Sequence, residues 1–451
     1  MRAFRIGLYR EHLDEASFLY GHCRALRRDP QIPWPALAGF EERLEAHLDA
    51  LVVGEDLALA VANTQALDGD AGELFAALSV FCRQRLPHLL SGVLQGLDET
   101  DRARLTAVTD ALKYALPDQW SGFVTQAMAR RDARLTPLLA VVCGYRRIPT
   151  VGLLPALLAQ APPTALRPLL WAAGRTREAG LAAAVRPFYA APQAAIGTAA
   201  LRAGLRLQDP DALHCIRTLS GTGDCPPLLL GLAGGRGAVP LLLERLRRCE
   251  ADRDALTALG FLGDPAAIPA LTERLDPHPL AAAAAEALHL ITGAPLFEDL
   301  FVPEPIAEDE LFEHELATYR QTGEGPRRGD GKPFGTSVRR LCRNRDRWAA
   351  WLQEHAGRLT AHRRYRCGHP DGPAVLLAAL AADTCPAAWR GQIAEELCVR
   401  YGVDLPFEVD LPVAAQRRVL EAAAHAVREA ASRVEPGHWS MFGRPLTTEG
   451  P

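Results

Sequence analysis

The chain has 451 residues, of which 48% are hydrophobic, and a formal net charge of −4 at neutral pH. A balance so close to zero gives no argument for nucleic acid as a partner of the whole chain, and no uncharged apolar run is long enough to cross a bilayer. The apolar residues are largely Ala and Leu, without period-two runs of Val and Ile, so the composition predicts helices and no strands.

The first ten residues carry Arg2, Arg5 and Arg10 with no apolar core behind them, so they do not read as a secretory signal, and a cytoplasmic location is expected. Of the 50 basic residues only Lys113 and Lys332 are lysines, a bias read as genome composition. The ten cysteines stand singly and read as small buried hydrophobes in a reducing compartment. Cys367-Gly368-His369, with Cys385 and Cys398 downstream, matches no metal-ligand spacing, and no metal is expected there.

In chain order, Leu8 to Leu26 predicts a first helix, with His12, Ala16, Leu19, Cys23 and Leu26 along one face. Pro33-Trp34-Pro35 ends the turn after it. Leu37, Phe40, Leu44, Leu48 and Leu51 then mark the apolar stripe of a second helix. His12 and His47 read as packed amphipathic side chains. Further helices are expected at about Leu57–Ala66, Ala71–Arg83 and Arg85–Leu97, and residues 1–98 form an N-terminal helical cap.

Residues 99–296 read as a repeat array. Gly144, Gly174, Gly204, Gly234, Gly263 and Gly293 recur at steps of 29 or 30 residues, each expected to close an Ala/Leu-rich helix in the left-handed turn that glycine favours. Val239-Pro240-Leu241-Leu242-Leu243-Glu244-Arg245-Leu246 is echoed by Ile268-Pro269-Ala270-Leu271-Thr272-Glu273-Arg274-Leu275. Asp264-Pro265 supplies a cap and a first-turn proline. The fold expected is all-α: a HEAT-like right-handed α-solenoid with helical N- and C-terminal caps.

Ala258-Leu-Gly-Phe-Leu-Gly-Asp-Pro-Ala-Ala-Ile-Pro-Ala-Leu271 resembles the short HEAT repeat named after phycobilisome lyases. More of the chain is similar to an uncharacterised bacterial HEAT-repeat family. The likeness lies in His12-Leu-Asp-Glu-Ala-Ser-Phe-Leu-Tyr20, Glu42 to Leu51, Ala287 to Leu296, Trp348-Ala-Ala-Trp351 with His355, and Arg364-Tyr-Arg366 with Gly368. Members are often encoded near type VI secretion loci. The resemblance implies an accessory role, with no catalytic residues to carry over.

Residues 297–337 read as an acidic stretch, Glu298 to Glu315, followed by a flexible Gly/Arg-rich linker. Ser337 is expected to cap a helix from Val338 to about His355, placing Leu341, Trp348 and Leu352 on a buried side. Arg339, Arg343 and Arg347 step along another side, with Arg340 beside them. Cations in a first helical turn oppose the dipole, so an acidic partner is expected for them: the Glu298–Glu315 run or an external protein. Helices at about Ala374–Ala382, Ala387–Tyr401 and Val413–Arg433 complete a C-terminal region, 338–433, and residues 434–451 are expected to fray.

No Gly-x-Ser-x-Gly elbow, His-Glu-x-x-His pair, phosphate loop or dinucleotide fingerprint occurs. The reading that follows is a non-enzymatic protein-binding scaffold or adaptor without a cofactor, accessory to a type VI-like assembly. Its partner is a protein rather than nucleic acid, without membrane insertion. Arg339, Arg340, Arg343, Arg347, Glu286 and His289 are the candidate contact residues. The alternatives are a lyase acting on a prosthetic group, with Cys249 and Glu286 as possible participants, and a toxin-neutralising binding protein.

Overall fold

Consecutive helices alternate between two rows along most of the chain. The structure is a computed structural model and describes residues 2–150 and 152–446. The inner row comprises Ala71–Arg83, Arg102–Ala115, Leu135–Arg146, Pro163–Thr176, Ala194–Arg206, Pro227–Ala233, Arg253–Leu262 and Ala281–Thr292, each packed on the next. The outer row is made of shorter helices, such as Leu153–Leu158, Leu181–Val185 and Ile268–Thr272. The expected all-α class holds, and the pairs stack as a solenoid-like array. Helices Arg2–Leu26, Ala38–Val53 and Glu55–Asp68 close its start around buried Leu13, Leu19, Leu48 and Leu51. The array begins earlier than Glu99, because Ala71–Arg83 already packs on Arg102–Ala115 as an inner helix.

The periodic glycines work differently from expectation. Only Gly263 (φ 72°) and Gly293 (φ 66°) are left-handed helix ends. Gly144, Gly174 and Gly204 lie inside the last turns of their helices, which run on to Arg146, Thr176 and Arg206. Their role is close approach: a methyl at Gly174 would sit 3.0 Å from the Cα of Ala203, and one at Gly144 2.9 Å from that of Ala172. Gly231 and Gly260 play the same part further on, against Ala258 and Ala287. Asp264 does cap the turn that follows Gly263, accepting from the Ala266 amide at 2.9 Å.

The C-terminal residues run along the ends of the inner helices instead of capping one end of the array. Helix Ala387–Tyr401 packs on Ala194–Arg206 and Pro227–Ala233. Beyond Gly402 the chain runs back along the inner helix ends as a strap. Asp404 meets Arg147, Arg177 and Arg206, Glu408 meets Arg175, and Asp410 meets Lys113. Glu41 then accepts from the Val413 amide at 2.6 Å, at the start of helix Val413–Ala431. Residues 434–446, expected to fray, are packed: Gly437 exchanges backbone hydrogen bonds with Arg364 and Asp371, and Ser440–Met441 pairs with Arg444–Pro445. The rest of the tail, 447–451, lies outside the described residues.

Arginine serves a recurrent purpose. The last carbonyls of a helix have no partner within it, and here guanidinium groups from neighbouring segments take them. Arg104 donates to Ala66 and Gly69, Arg134 to Leu97, Arg206 to Gly174 and Arg274 to Leu246. Arg364 and Arg366 do so for the end of Arg253–Leu262, and Arg400 for Gly231 and Gly234. These last three are fully buried and share Glu396, with Asp371 beside Arg364. The forked, weakly hydrated guanidinium suits such sites better than a lysine ammonium.

Two elements differ in kind from the sequence reading. Phe297–Pro303 and Gly335–Leu341 are strands, paired antiparallel with Glu298 opposite Arg340 and Asp299 opposite Arg339. The expected helix from Val338 therefore starts only at Arg345, with Asn344 as its cap (2.9 Å to the Arg347 amide). The expected linker is instead an arm, a two-stranded hairpin whose excursion holds helix Glu313–Thr322.

Candidate protein-binding surface

The arm springs from the last inner helix, and its base collects the six candidate residues of the sequence reading. Helix Ala281–Thr292 presents Glu286 and His289, one turn apart and half-buried. The Nδ1 of His289 lies 3.0 Å from the carbonyl of Ala294, and its ring packs edge-on to Phe297 at 5.5 Å and along Trp389 at 6.3 Å. Arg339 caps this stack, its guanidinium 4.7 Å from the Phe297 centroid. Burial holds His289 below the usual imidazole range, against a hydrogen bond to the Ala294 carbonyl that favours the proton. Burial pushes Glu286 up, opposed by Arg253, 4.0 Å away, and by Arg343.

Across the strands Arg340 holds Glu298 at 2.8 Å, and Arg347 approaches the same carboxylate at 4.0 Å. So the first acid of the Glu298–Glu315 run meets the arginines inside the chain. The arginines are split among a strand (Arg339, Arg340), a loop (Arg343) and a helix (Arg347). Leu341 is partly buried, Cys342 donates its amide to Leu296 at 2.8 Å, and the fully buried Trp348 donates Nε1 to Cys342 at 2.7 Å. The base of the arm is thus fixed to the array by packing and hydrogen bonds.

The arm itself is mostly exposed. The first strand carries the exposed apolar groups Leu300, Phe301 and Val302, and exposed Phe334 immediately precedes the second. Phe312, at the start of the arm helix, is 71% exposed. The sheet has two strands only, so each has one edge without a backbone partner. Among the arm's acids Glu308 is paired with Arg320, while Glu304, Asp309, Glu310 and Glu313 are exposed with no ion pair among the described residues.

Elsewhere the chemistry is sparse. Trp351 and His355 stack at 4.2 Å in a cleft of about 640 Å³ that also holds Cys367 and His369. Burial raises the Cys367 thiol and pushes Cys385 up to about 12, so neither is a ready thiolate. His12 and His47 meet each other, Nδ1 to Nδ1 at 3.0 Å. Cys249 is exposed at the end of an outer helix. Among the described residues no group of three or more His, Cys, Asp or Glu side chains is placed to hold a metal ion, and no single helix is long and apolar enough to cross a membrane.

The sequence reading missed the strap. Its signal is present in the repeat: a guanidinium follows the glycine by one to three residues at Gly144, Gly174 and Gly204, giving Arg146 and Arg147, Arg175 and Arg177, and Arg206. The matching acids, Asp404, Glu408 and Asp410, stand close together near the other end. No protein-family model matches the chain, and no curated protein or solved structure matches it.

Proposed function

We propose that the protein is a non-enzymatic scaffold that binds another protein through the 297–341 arm. One observation carries this reading: apolar side chains stand exposed on a two-stranded sheet with unpaired edges, on a base that is rigidly anchored. Such edges associate with other strands unless covered, and an extended segment of a partner adds to them through backbone hydrogen bonds. The unpaired acids on the arm favour a partner surface that is basic around an apolar centre. On the repeats, the ends of the inner helices are taken by the chain's own strap and helix Ala387–Tyr401, which leaves the arm as an exposed apolar surface. The setting in a secretion-type assembly is carried only by the resemblance of the His12–Tyr20, Glu42–Leu51, Ala287–Leu296, Trp348–His355 and Arg364–Gly368 segments. Neutralisation of a toxin would use the same surface.

The test is affinity capture from native cell extract with cross-linking. Wild type is compared with Phe301→Ser/Phe312→Ser and with a chain whose residues 304–334 are replaced by a short turn. The expected result is one protein captured by wild type, cross-linked to the arm and lost from both variants. A partner retained by both variants, or cross-links confined to the repeats, overturns the proposal.

A further inference from the structure

Away from the arm, the seam between the N-terminal turn and the C-terminal region encloses a buried cation without a counter-ion. Arg390 is 1% exposed. Its Nε donates to the Leu380 carbonyl at 2.9 Å and its Nη1 to Gln416 at 2.5 Å, while its Nη2 has no hydrogen-bond partner. Trp34 stacks on the guanidinium at 4.0 Å and Phe407 at 5.1 Å. No carboxylate forms an ion pair with it among the described residues. This is unlike Arg364, Arg366 and Arg400, which share Glu396. A buried charge is costly unless paired, and aromatic faces offset only part of that.

Arg390 forms part of the wall of a cavity of about 150 Å³. Most of the exposed wall is apolar, from Ile32, Trp34, Pro386 and Val409 among others. The mouth carries Arg28, exposed and without an ion pair among the described residues. The acids on the lining are already engaged: Glu41 binds Arg27 at 2.6 Å and the Val413 amide, and Asp29 accepts from the Gln31 amide at 2.8 Å. A buried cation in the wall without an ion pair, a second cation at the mouth and an apolar lining are the parts of a site for an amphipathic anion.

We propose that this cavity binds a small carboxylate with a short apolar body, its carboxylate on Arg390 and its apolar part against Trp34, Pro386 and Val409. The carboxylate comes from a free short-chain acid or from the end of a partner's chain. In either case it bridges residues 27–41 and 385–416 across the seam, next to the Glu41–Val413 contact that ends the strap. The site is separate from the arm, so replacing residues 304–334 leaves binding here unchanged, and failure of one proposal does not entail failure of the other.

The experiment is calorimetric titration of the full chain with sodium isovalerate, against sodium chloride at matched ionic strength. It is paired with crystals soaked in 3-bromopropionate to place the bromine. Saturable binding near one per chain is expected, with anomalous density in the cavity, affinity lowered about fivefold or more in Arg28→Ala, and no binding in Arg390→Met. Arg28 is exposed, so its variant reports on the site even where Arg390→Met does not fold. A capped tripeptide ending in Val-COO⁻, competing with isovalerate at lower concentration, identifies a chain terminus as the source; the free acid binding more tightly identifies a small metabolite. No saturable binding, the same heat from chloride, bromine located elsewhere, or unchanged affinity in both variants overturns the proposal.

Discussion

At the scale of single residues, two kinds of position decide whether the array closes. The first is the small residue between inner helices. A methyl at Gly260 would lie 2.8 Å from the Cα of Ala287, and backbone in a packed helix does not yield cheaply. Gly260→Ala is expected to lower stability by about 1–3 kcal/mol despite the gain in helix propensity. Gly221→Ala, with open space around the added methyl, should be neutral or stabilising. Denaturant unfolding of the two variants checks the contrast. The second kind is the shared carboxylate. Glu396 serves Arg364, Arg366 and Arg400, all fully buried. Glu396→Gln removes the charge and keeps the shape, leaving Asp371 as the remaining acid paired in this cluster. A loss of about 3–5 kcal/mol is expected, because uncompensated buried charge dominates the cost.

At the scale of elements, the strap and the arm behave oppositely. The strap is held by ion pairs, and two carboxyls at its start, Glu395 on the helix leading into it and Asp404 on the strap itself, are held below the ordinary carboxylate range. Burial alone would raise Glu395, but Arg206 and Arg175 outweigh it and hold its carboxyl at about 2, against an ordinary 4.5. Asp404 is likewise lowered, burial being outweighed by Arg147, Arg206 and Arg177. A lowered carboxyl binds fewer protons folded than unfolded. Its stabilisation is therefore complete above the ordinary value and fades as pH falls from about 4.5 towards about 2. For Asp404 the same loss sets in only as pH falls below its ordinary 3.8. Hydrogen exchange is expected to show residues 402–412 losing protection in that acid range before the inner helices do; simultaneous loss would count against the strap as a separate unit. The arm shares little core with the array beyond its base. Replacement of residues 304–334 by a short turn should leave thermal unfolding unchanged, whereas a linked fall in stability would place the arm in the core.

At the scale of the whole molecule, the chain is one interdependent body in which the C-terminal third completes the first two thirds. A solenoid made only of nearest-neighbour contacts tolerates truncation between repeats. This one should not, because Arg364, Arg366 and Arg400 cap inner helix ends from outside the repeats. A chain stopped at Gly293 also uncovers Phe261 and Leu290, which pack in a cluster with the C-terminal helices. The loss is expected to approach the ~5–15 kcal/mol that holds an ordinary domain. Such a chain should bind a hydrophobic dye and lack a cooperative melt; a sharp melt would show that the repeats stand alone.

Local order was legible in the sequence because it is set by near neighbours. Apolar spacing placed the helices, and the helix over Ala387–Tyr401 was read to the residue. The glycine period revealed the repeats, although its physical cause was misread for half of them: Gly144, Gly174 and Gly204 lie inside their helices at close contacts and do not turn the chain. The arm was not legible. Its strands face solvent on most positions, so no apolar alternation marks them, and Arg340 finds Glu298 only 42 residues away. The strap was further out of reach, since Lys113 and Asp410 are 297 residues apart and Arg206 and Asp404 are 198 apart. Residue type and spacing determine which segments become helices and which helix ends are left with unpaired carbonyls. Which distant arginine or acid satisfies each end is a matter of three-dimensional proximity, and only the tertiary structure decided it.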